Sequence, residues 1–517
     1  MEPGFVPAQW SLCRRALRGL LGVSKRDAGN NGALGDILVE SILTPNSVFP
    51  YTPMRLLIVA ALIAFTVSQS VGFRPLHADE YANSVGESAS PAASAPEARD
   101  AGEPIEDPPV IQGVPFLVAT HPLDLEWEND YQETHAAWQS LINEAETSLD
   151  LAFFYASDRG EGGDLDPENP TALSETVESL RQAAGRGVAI RFLVDSAFED
   201  TYPALIERLG EIEGIESRIL NLKQHTGGVM HAKYMIRDSD HYYVGSANFD
   251  WRSLEHVLEL GINGIHAVMP IVDVFNLDWH LAGGGSVEMA PEPASALPFT
   301  PYRHRIEDVG FHHPGSDKPL PHRQHFNPLI TPVFSPKGLL PNEDLWDLPH
   351  IIERIEGAKE RVWIQVMTFR LKDRGGEVFY ELQDPILAAA KRGVDVRLLV
   401  ADWGKRRGTI EGLQALAATD GIEVRMTTIP EHSTGHIPFA RVIHAKYMVV
   451  DKDKAWLGST NWEKGYFYEG RNVGVLLDGA SGVTPLAAFH QSLWRSPHTY
   501  PVDPEATYEV PDFGERE

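Results

Sequence analysis

The feature that most constrains this chain is a motif that occurs twice with the same internal spacing. Each copy has a histidine, a lysine two positions later, an aspartate and then a Gly-Ser-x-Asn string. The first copy consists of His231, Lys233, Asp238, Gly245, Ser246 and Asn248, and the second of His444, Lys446, Asp451, Gly458, Ser459 and Asn461. Two copies with identical spacing predict an internal duplication.

The apolar patterning around the motifs repeats as well. In the first pass, predicted helices at 131–146, 172–186 and 201–210 alternate with predicted strands at 148–156, 188–195, 216–222 and 229–238. In the second pass, helices at 350–358, before Gly393 and at 409–419 alternate with strands at 361–369, 394–402, 422–429 and 442–451. This alternation predicts an α/β fold with a largely parallel sheet covered by helices in each pass. The glycines that follow helices, such as Gly187 and Gly393, predict C-caps.

The side chains of the motif suit phosphate chemistry. Alternate residues of an extended strand share a face, so the histidine and lysine of each copy are expected to lie side by side. Lysine can neutralise a phosphate, asparagine can add amide donors, and glycine permits a tight turn or a close backbone approach. Two histidines on opposite sides of one phosphorus fit an in-line displacement, in which one attacks and the other protonates the leaving oxygen. The residues alone leave open which histidine attacks.

Two H-x-K-x-x-x-x-D motifs with downstream G-S-x-N strings resemble the signature of the phospholipase D superfamily, over residues 113–500. The resemblance implies two tandem α/β sandwich lobes, related by a pseudo-two-fold, that share one active site at their interface. It implies a covalent phosphohistidine without metal or other cofactor, with His231 as nucleophile and His444 as general acid. The same resemblance assigns phosphate binding to Lys233, Lys446, Asn248 and Asn461, and a structural role to Asp238 and Asp451. Family members orient each histidine with a downstream glutamate, and Glu259 and Glu469 match those positions.

The flanking strings GSANFDWRSLEHVLELG and IPFARVIHAKYMVVDKDKAWLGSTNWEKGYF resemble the branch of phospholipase D members three and four. That branch implies a five-prime exonuclease on single-stranded nucleic acid, our leading hypothesis. The alternatives are a phospholipase D or phosphatidyltransferase of envelope lipids and a non-catalytic interaction protein on the same scaffold. Aromatic residues near the motifs could stack bases, although a place in the core is the favoured interpretation for each one taken singly: Phe153, Phe154, Tyr155, Trp251, Trp462, Tyr466 and Phe467. A local basic path could include Lys405, Arg406, Arg407, Arg441, Lys464 and Arg471.

The N-terminal region resembles an export signal. Arg55 precedes the apolar run LLIVAALIAFTV at 56–67, and small residues follow near Ala78. Read from Met54, this pattern predicts a signal peptide or a signal anchor at 54–78 that could attach the chain to a membrane. Residues 1–53 are then a tail or a misassigned start. The segment 79–110, rich in Ala, Ser, Pro and acidic residues, predicts a disordered linker.

Composition narrows the setting and the partners. The 517 residues include one cysteine, Cys13, so neither an intramolecular disulfide nor a multi-cysteine metal site can form. The absence of N-glycosylation sequons favours a bacterial envelope, periplasmic or secreted, over a eukaryotic lumen. A formal charge of −29 argues against capture of nucleic acid by bulk charge. The lobes are expected at 111–285 and 329–505, with a tail at 506–517 and a connector at 286–328 whose histidines lack the regular spacing of metal ligands.

Overall fold

The duplication in the sequence is present as two α/β lobes in a computed structural model. The structure describes residues 116–125, 131–158, 171–265, 268–295, 302–303, 328–373, 375–511 and 513. All of them belong to one compact unit, Ile105–Glu517. The predicted segments 1–53, 54–78 and 79–110, and the connector histidines His304, His312, His313, His322 and His325, lie outside the described residues. In the described ranges, no helix is long and apolar enough to cross a membrane.

The first lobe contains ten strands and six helices among its described residues. The strands are β1 Phe116–Thr120, β2 Gln132–Glu133, β3 Ser148–Phe153, β4 Ala156–Ser157, β5 Ala189–Asp195, β6 Ile215–Leu220, β7 Tyr234–Arg237, β8 His241–Gly245, β9 Phe249–Asp250 and β10 Glu259–Ile265. The helices are α1 Thr134–Asn143, α2 Ala172–Gly185, α3 Pro203–Gly210, α4 Lys223–Thr226, α5 Trp251–Glu255 and α6 Met269–Ala282. The predicted helices and strands of this pass are therefore present, with ends that shift by a few residues.

The second lobe repeats this order. Its described strands are β11 Tyr302–Arg303, β12 Leu329–Ser335, β13 Arg361–Val366, β14 Phe369–Arg370, β15 Asp395–Ala401, β16 Ile422–Thr427, β17 Tyr447–Val450, β18 Lys454–Gly458, β19 Trp462–Glu463, β20 Asn472–Asp478 and β21 Thr499–Pro501. Its helices are α7 Asp347–Gly357, α8 Tyr380–Lys391, α9 Ile410–Ala417, α10 Lys464–Tyr468 and α11 Ala480–Trp494. Gly187 after α2 and Gly393 after α8 have φ values of 92° and 85°, the left-handed conformation that a C-cap glycine supplies.

Both main sheets are mixed, so the expectation of a largely parallel sheet was wrong. The first has the order β2-β1-β10-β8-β7-β3-β5-β6, and the second β11-β12-β20-β18-β17-β13-β15-β16-β21. The parallel neighbours are β1-β2, β3-β5-β6 and β13-β15-β16, whereas the strands that follow each motif pair antiparallel. The reason is connection length, since parallel neighbours need a helical crossover whereas β7-β8 and β17-β18 are joined by tight turns.

The buried core is divided into three parts. One cluster packs the first sheet against α1, α2 and α3, and another packs the second sheet against α7, α8 and α9. The third is shared between the lobes and draws on the other faces of both sheets and on α6 and α11, with Phe275 and Phe489 among its members. Because the lobes bury apolar surface against each other, they hold a fixed relative position, which is what a site built from both of them requires.

Candidate active site

The two H-x-K segments lie at the contact between the lobes. They were expected inside strands, but β7 and β17 begin only after the lysines. Each segment pairs instead with the opposite lobe: Met230 forms a bridge with Arg471, and Leu258 with Ile443. The His231 amide donates to the Arg471 carbonyl at 2.8 Å, and the His444 amide donates to the Leu258 carbonyl at 2.8 Å. The pseudo-two-fold thus brings each histidine against the other lobe.

His231 and His444 line one cavity of about 300 Å³ between the lobes. Asn248, Asn461 and Glu259 also line it, together with aromatic side chains from both lobes. The two histidine residues are only 4% and 8% exposed. Two histidines separated by 213 positions in the chain therefore line a single cavity.

His444 is held by a carboxylate from the first lobe. Its Nδ1 lies 2.9 Å from both oxygens of Glu259, a residue with no exposed surface. Burial alone would raise the pKa of Glu259, but attraction to His444 and Lys446 outweighs burial and lowers it below its ordinary value. Because the Glu259 carboxylate is ionised, it accepts the Nδ1 hydrogen and favours the charged form of His444.

His231 is held by an amide from the second lobe. Its Nδ1 lies 3.1 Å from Asn472 Oδ1. The Asn472 amide group donates to the Tyr466 carbonyl at 2.9 Å and to the Gly470 carbonyl at 3.3 Å, which fixes its orientation because carbonyls only accept. The oxygen of Asn472 must then face His231, so the hydrogen of His231 resides on Nδ1. The lone pair of His231 is left on Nε2.

The expectation for Glu469 was wrong, because Asn472 occupies the position beside His231. Glu469 is exposed, and its backbone carbonyl accepts from Thr226 Oγ1 at 2.6 Å. The signal that would have identified Asn472 is spacing: Glu259 follows His231 by 28 positions, and Asn472 follows His444 by the same 28. The partners are also exchanged, since each of these residues holds the histidine of the other lobe. Only the packing of the lobes determines that exchange.

Burial lowers the pKa of both histidines. Burial and the nearby charges of Lys233 and Lys446 hold the pKa of His231 well below its ordinary value. Burial lowers the pKa of His444 to about 4 against the opposing attraction of Glu259. A carboxylate therefore favours a proton on His444, whereas an amide leaves His231 neutral.

The two lysines are fully buried beside their histidines. Lys233 Nζ donates to the His231 carbonyl, and Lys446 Nζ donates to the His444 carbonyl. Burial lowers the pKa of Lys446 to about 7, and burial together with Lys446 lowers that of Lys233 well below its usual range. Two buried lysines next to the histidines that line the cavity favour the binding of an anion such as phosphate there.

The asparagines of the motif belong to the same cavity. Asn248 Nδ2 lies 3.3 Å from the Tyr155 hydroxyl, and its Oδ1 is buried with no hydrogen-bond partner among the described residues. Asn461 Oδ1 accepts from the Thr368 amide at 3.3 Å. The buried, unpaired oxygen of Asn248 is a polar atom that a donor on a bound substrate could satisfy.

The remaining motif residues build the scaffold. Asp238 accepts from the amides of Thr147 and Ser148 at 2.7 and 2.9 Å, and Asp451 makes equivalent bonds to residues 359–361. Gly245 lies opposite Gly261, and Gly458 opposite Gly474, where the strands approach too closely for a Cβ atom. Ser459 Oγ donates to Asn472 Oδ1 at 3.1 Å, and Ser246 Oγ accepts from the Leu260 amide at 3.0 Å.

The structure separates the aromatic and basic candidates into two groups. Phe153, Trp462 and Phe467 are buried in the core, Trp251 does not line the cavity, and Phe154, Tyr155 and Tyr466 do. Arg471 and Arg441 are buried and bonded within the protein, so they cannot form the expected basic path. Arg406 lines the cavity, whereas Lys405, Arg407 and Lys464 do not. Within the described residues, no group of three or more His, Cys, Asp or Glu side chains could hold a metal ion.

Two α/β lobes that each supply one histidine and one asparagine to a shared cavity, with a buried lysine beside each histidine, define a duplicated, two-lobed enzyme. A family profile described as "Cardiolipin synthase, PLD-like domain" matches residues 139–273 and 351–494, more than half of the chain. The chain therefore belongs to the phospholipase D superfamily, and it is a phosphodiesterase. Its membership is also supported by similarity to three curated proteins.

These relatives differ in what their names describe. The 5'-3' exonuclease PLD3 of Rattus norvegicus is 30% identical over 414 residues, covering 75% of this chain and 81% of that protein. The virion nicking-joining enzyme of vaccinia virus, strain Western Reserve, is 27% identical over 406 residues, covering 75% and 89%. Phospholipase D Z of Dictyostelium discoideum is 28% identical over 383 residues, covering 71% and 86%.

Proposed function

We propose that this phosphodiesterase removes nucleotides from the five-prime end of single-stranded nucleic acid through a phosphohistidine on His231. The observation that carries the proposal is the composition of the cavity wall. Beside the two histidines, the cavity is lined by Phe154, Tyr155, Phe198, Tyr202, Trp403, Phe439 and Tyr466, against only three large aliphatic side chains, Val257, Met367 and Val442. Aromatic faces stack on bases of any identity, whereas an acyl chain is favoured by an aliphatic wall.

The aromatic residues form one cluster in each lobe. In the first lobe, the Phe198 ring lies 4.9 Å from Phe154 and stacks on Tyr202 at 5.6 Å. In the second, Trp403 packs near Phe439, and the Arg406 guanidinium lies 5.3 Å from the Trp403 ring. Phe154 of the first lobe and Tyr466 of the second lie 5.0 and 4.9 Å from the His231 ring, so aromatic side chains of both lobes can accept the groups beside one scissile phosphate. The cavity volume of about 300 Å³ suits the end of a strand.

The proposed reaction has two steps. His231 Nε2 attacks phosphorus and the P–O bond to the leaving group breaks, while His444 gives its proton to the departing oxygen. His444, now neutral, takes a proton from water as that water attacks phosphorus, and the P–N bond to His231 breaks. Lys233 and Lys446 stabilise the negative charge of the transition state. Attack by another alcohol in place of water would give a transferase.

A side-by-side assay tests the substrate. Five-prime-labelled single-stranded oligonucleotides and phosphatidyl lipid vesicles are incubated with the enzyme in chelator, and mononucleotide and headgroup release are measured. We expect mononucleotides, and no headgroup. Headgroup release with intact oligonucleotides would contradict the nuclease and support a phospholipase or phosphatidyltransferase. Phe198→Leu keeps an apolar side chain but removes the aromatic face, and should raise KM for oligonucleotides by about fivefold or more.

We also propose that residues 54–78 export the catalytic part of the chain from the cytoplasm. The support is the basic residue Arg55, the apolar run at 56–67 and the acidic linker that follows. Fusion of residues 1–110 to an alkaline phosphatase without its own signal should give an active reporter in a bacterium, because that reporter needs an oxidising compartment. Val59→Arg together with Leu62→Arg should abolish it. Equal reporter activity in both fusions would contradict export by this segment.

A further inference from the structure

A fully buried ion pair joins the two lobes behind the active site. Arg471 of the second lobe and Asp278 on α6 of the first have no exposed side-chain surface. Arg471 Nε and Nη2 donate to the Asp278 carboxylate at 2.9 and 2.8 Å, a bidentate pair. The remaining donors of Arg471 reach the carbonyl of Ser335 at 2.9 Å and that of Leu339 at 2.8 Å. The guanidinium is therefore held on three sides.

The pair is one residue away from the groups that orient His231. Arg471 directly precedes Asn472, and its carbonyl accepts the backbone amide of His231 at 2.8 Å. Ser335, which accepts from Arg471 through its carbonyl, accepts from Asn472 Nδ2 through its hydroxyl at 3.1 Å. A continuous set of contacts thus runs from Asp278 through Arg471, Ser335 and Asn472 to His231. Asp278 and His231, at its two ends, belong to the first lobe, and the three residues between them belong to the second.

The other half of the site shows that pairing of the lobes does not need this charge. Leu258 occupies the position that matches Arg471, directly before Glu259. Its backbone makes the corresponding bridge to Ile443, but its side chain is apolar. A buried ion pair is expensive to desolvate and is often no more stable than an apolar pair of similar size. The Arg471–Asp278 ion pair is therefore better explained by a need to fix the geometry around Asn472 than by a gain in the stability of the fold. That side carries the weaker partner, a neutral amide, whose orientation must be fixed by its surroundings.

We propose that Asp278 and Arg471 are positioning residues that fix Asn472 and, through it, the Nδ1-protonated tautomer of His231. With the pair in place, Asn472 Oδ1 stays against Nδ1 and Nε2 stays available to attack. Without it, the chain around Asn472 can relax, the amide can rotate, and His231 can carry its hydrogen on Nε2. The inference rests on the proposed role of His231 as nucleophile, but its direct consequence is a property of the imidazole itself.

The test compares variants in the full chain. Arg471→Met leaves a buried, unpaired Asp278 and should lower stability, whereas Asp278→Leu combined with Arg471→Met removes both charges and should fold. Each is assayed on bis(p-nitrophenyl) phosphate, and the tautomer of His231 is read from imidazole ¹⁵N chemical shifts. Arg354→Met is the control, because Arg354 Nη2 donates to both oxygens of Asp478 in a partly exposed ion pair inside the second lobe, and neither residue lines the cavity.

We expect the double variant to lose about 100-fold in kcat with little change in KM, and to show a mixture of His231 tautomers. Arg354→Met should lose stability but keep both kcat and the Nδ1-protonated signal. A double variant that keeps wild-type kcat and a single tautomer would overturn the proposal. If instead wild type fails to cleave the diester, or His231→Ala keeps activity, the proposed function fails while the ¹⁵N shifts still report on the ion pair.

Discussion

The two histidines differ in the residue that accepts a hydrogen bond from Nδ1, and this difference supports the roles proposed for them. Glu259 is an acceptor with a full negative charge, so it stabilises a protonated His444. Asn472 is a neutral acceptor that fixes the tautomer of His231, and burial and the nearby lysines outweigh the small rise in pKa that this hydrogen bond gives. Family resemblance alone predicts that His231 attacks and His444 donates the proton. The side-chain contacts provide a physical reason for the same order.

Leaving-group dependence should separate the two histidines. Both His231→Ala and His444→Ala are expected to reduce cleavage of an unactivated diester by several orders of magnitude. His444→Ala should recover part of its activity on a p-nitrophenyl diester, because that leaving group departs without a proton. His231→Ala should not recover, since it lacks the attacking nitrogen. Equal recovery in both variants, measured as kcat/KM for the two diesters, would contradict the assignment.

The pH dependence follows from the lowered pKa values. A lowered pKa in a basic group means that its charged form is lost at a lower pH, so His444 and Lys446 lose their protons near pH 4 and 7. Because the pKa of His231 is lowered, its imidazole stays neutral at pH values well below the ordinary pKa of a histidine. We therefore expect a bell-shaped kcat/KM with its maximum below neutrality, falling as the pH rises.

Removing the Glu259 carboxylate should shift that profile. Glu259→Gln eliminates the charge that favours protonated His444, so the decline should begin at a lower pH and the maximum rate should fall. Glu469→Gln is the control, because Glu469 is exposed and should leave the profile unchanged. A profile that is unmoved by Glu259→Gln, in pH-rate measurements where chemistry limits the rate, would contradict the role of this carboxylate.

At the scale of elements, the aspartate and the glycine that follow the lysine in each motif hold strands in position. Asp238 and Asp451 occupy left-handed turns, with φ values of 51° and 49°, and accept backbone amides at the start of β3 and β13. Each aspartate thereby joins the β7-β8 or β17-β18 hairpin to the neighbouring parallel run. The glycines of the motif allow the next strand pair to approach closely. The geometry of the strands therefore requires the same internal spacing in both copies of the motif.

Loss of one of these aspartates should affect stability and leave the chemistry intact. Asp238→Ala removes the acceptor for three amides, and because the carboxylate is partly exposed we expect a cost of about 1 kcal/mol in the free energy of unfolding. These hydrogen bonds lower the pKa of Asp238 to about 2, against the opposing effect of partial burial. The stabilisation is therefore present above the ordinary value of 3.8 and is lost as the pH falls toward 2.

Thermal melts at pH 7 and at pH 2 would measure this effect. Asp240→Ala provides the control in the same turn, since the Asp240 side chain is exposed and its carboxylate contacts the neighbouring His241 and no backbone amide of β3. Wild type and Asp238→Ala should differ at pH 7 and converge at low pH. A difference of the same size at both pH values would rule out the carboxylate as its source.

At the scale of the whole molecule, an acidic chain must hold a polyanion with few contacts. The formal charge is −29. Arg406 lines the cavity, Arg252 lines it but is paired with Asp250, and Lys233 and Lys446 are buried beside the two histidines. A binding site of that size neutralises two or three phosphates. Salt should therefore weaken binding only modestly, with a slope of log K against log salt of about −1.4 to −2.1 for a single strand.

Fluorescence anisotropy of a labelled oligonucleotide bound to His231→Ala, across a salt series, would measure that slope. A steep slope, such as a protein with eight or more phosphate contacts gives, would indicate an extended basic path that the described residues do not provide. Arg406→Ala should reduce the magnitude of the slope by about 0.7, one phosphate contact. Arg407→Ala, which removes a neighbouring exposed charge outside the cavity, is the matched control.

The sequence by itself determined the duplication, the order of helices and strands in each lobe, and the histidines and asparagines that line one cavity with the lysines beside them. Those features depend on local periodicity and on residue types at fixed spacing, which a linear chain records. Only the tertiary structure decided that the sheets are mixed, that Asn472 and not Glu469 holds His231, and that Arg471 is buried against Asp278 instead of facing a substrate. These outcomes depend on which surfaces of the two lobes bury each other, and that packing brings together residues far apart in the chain.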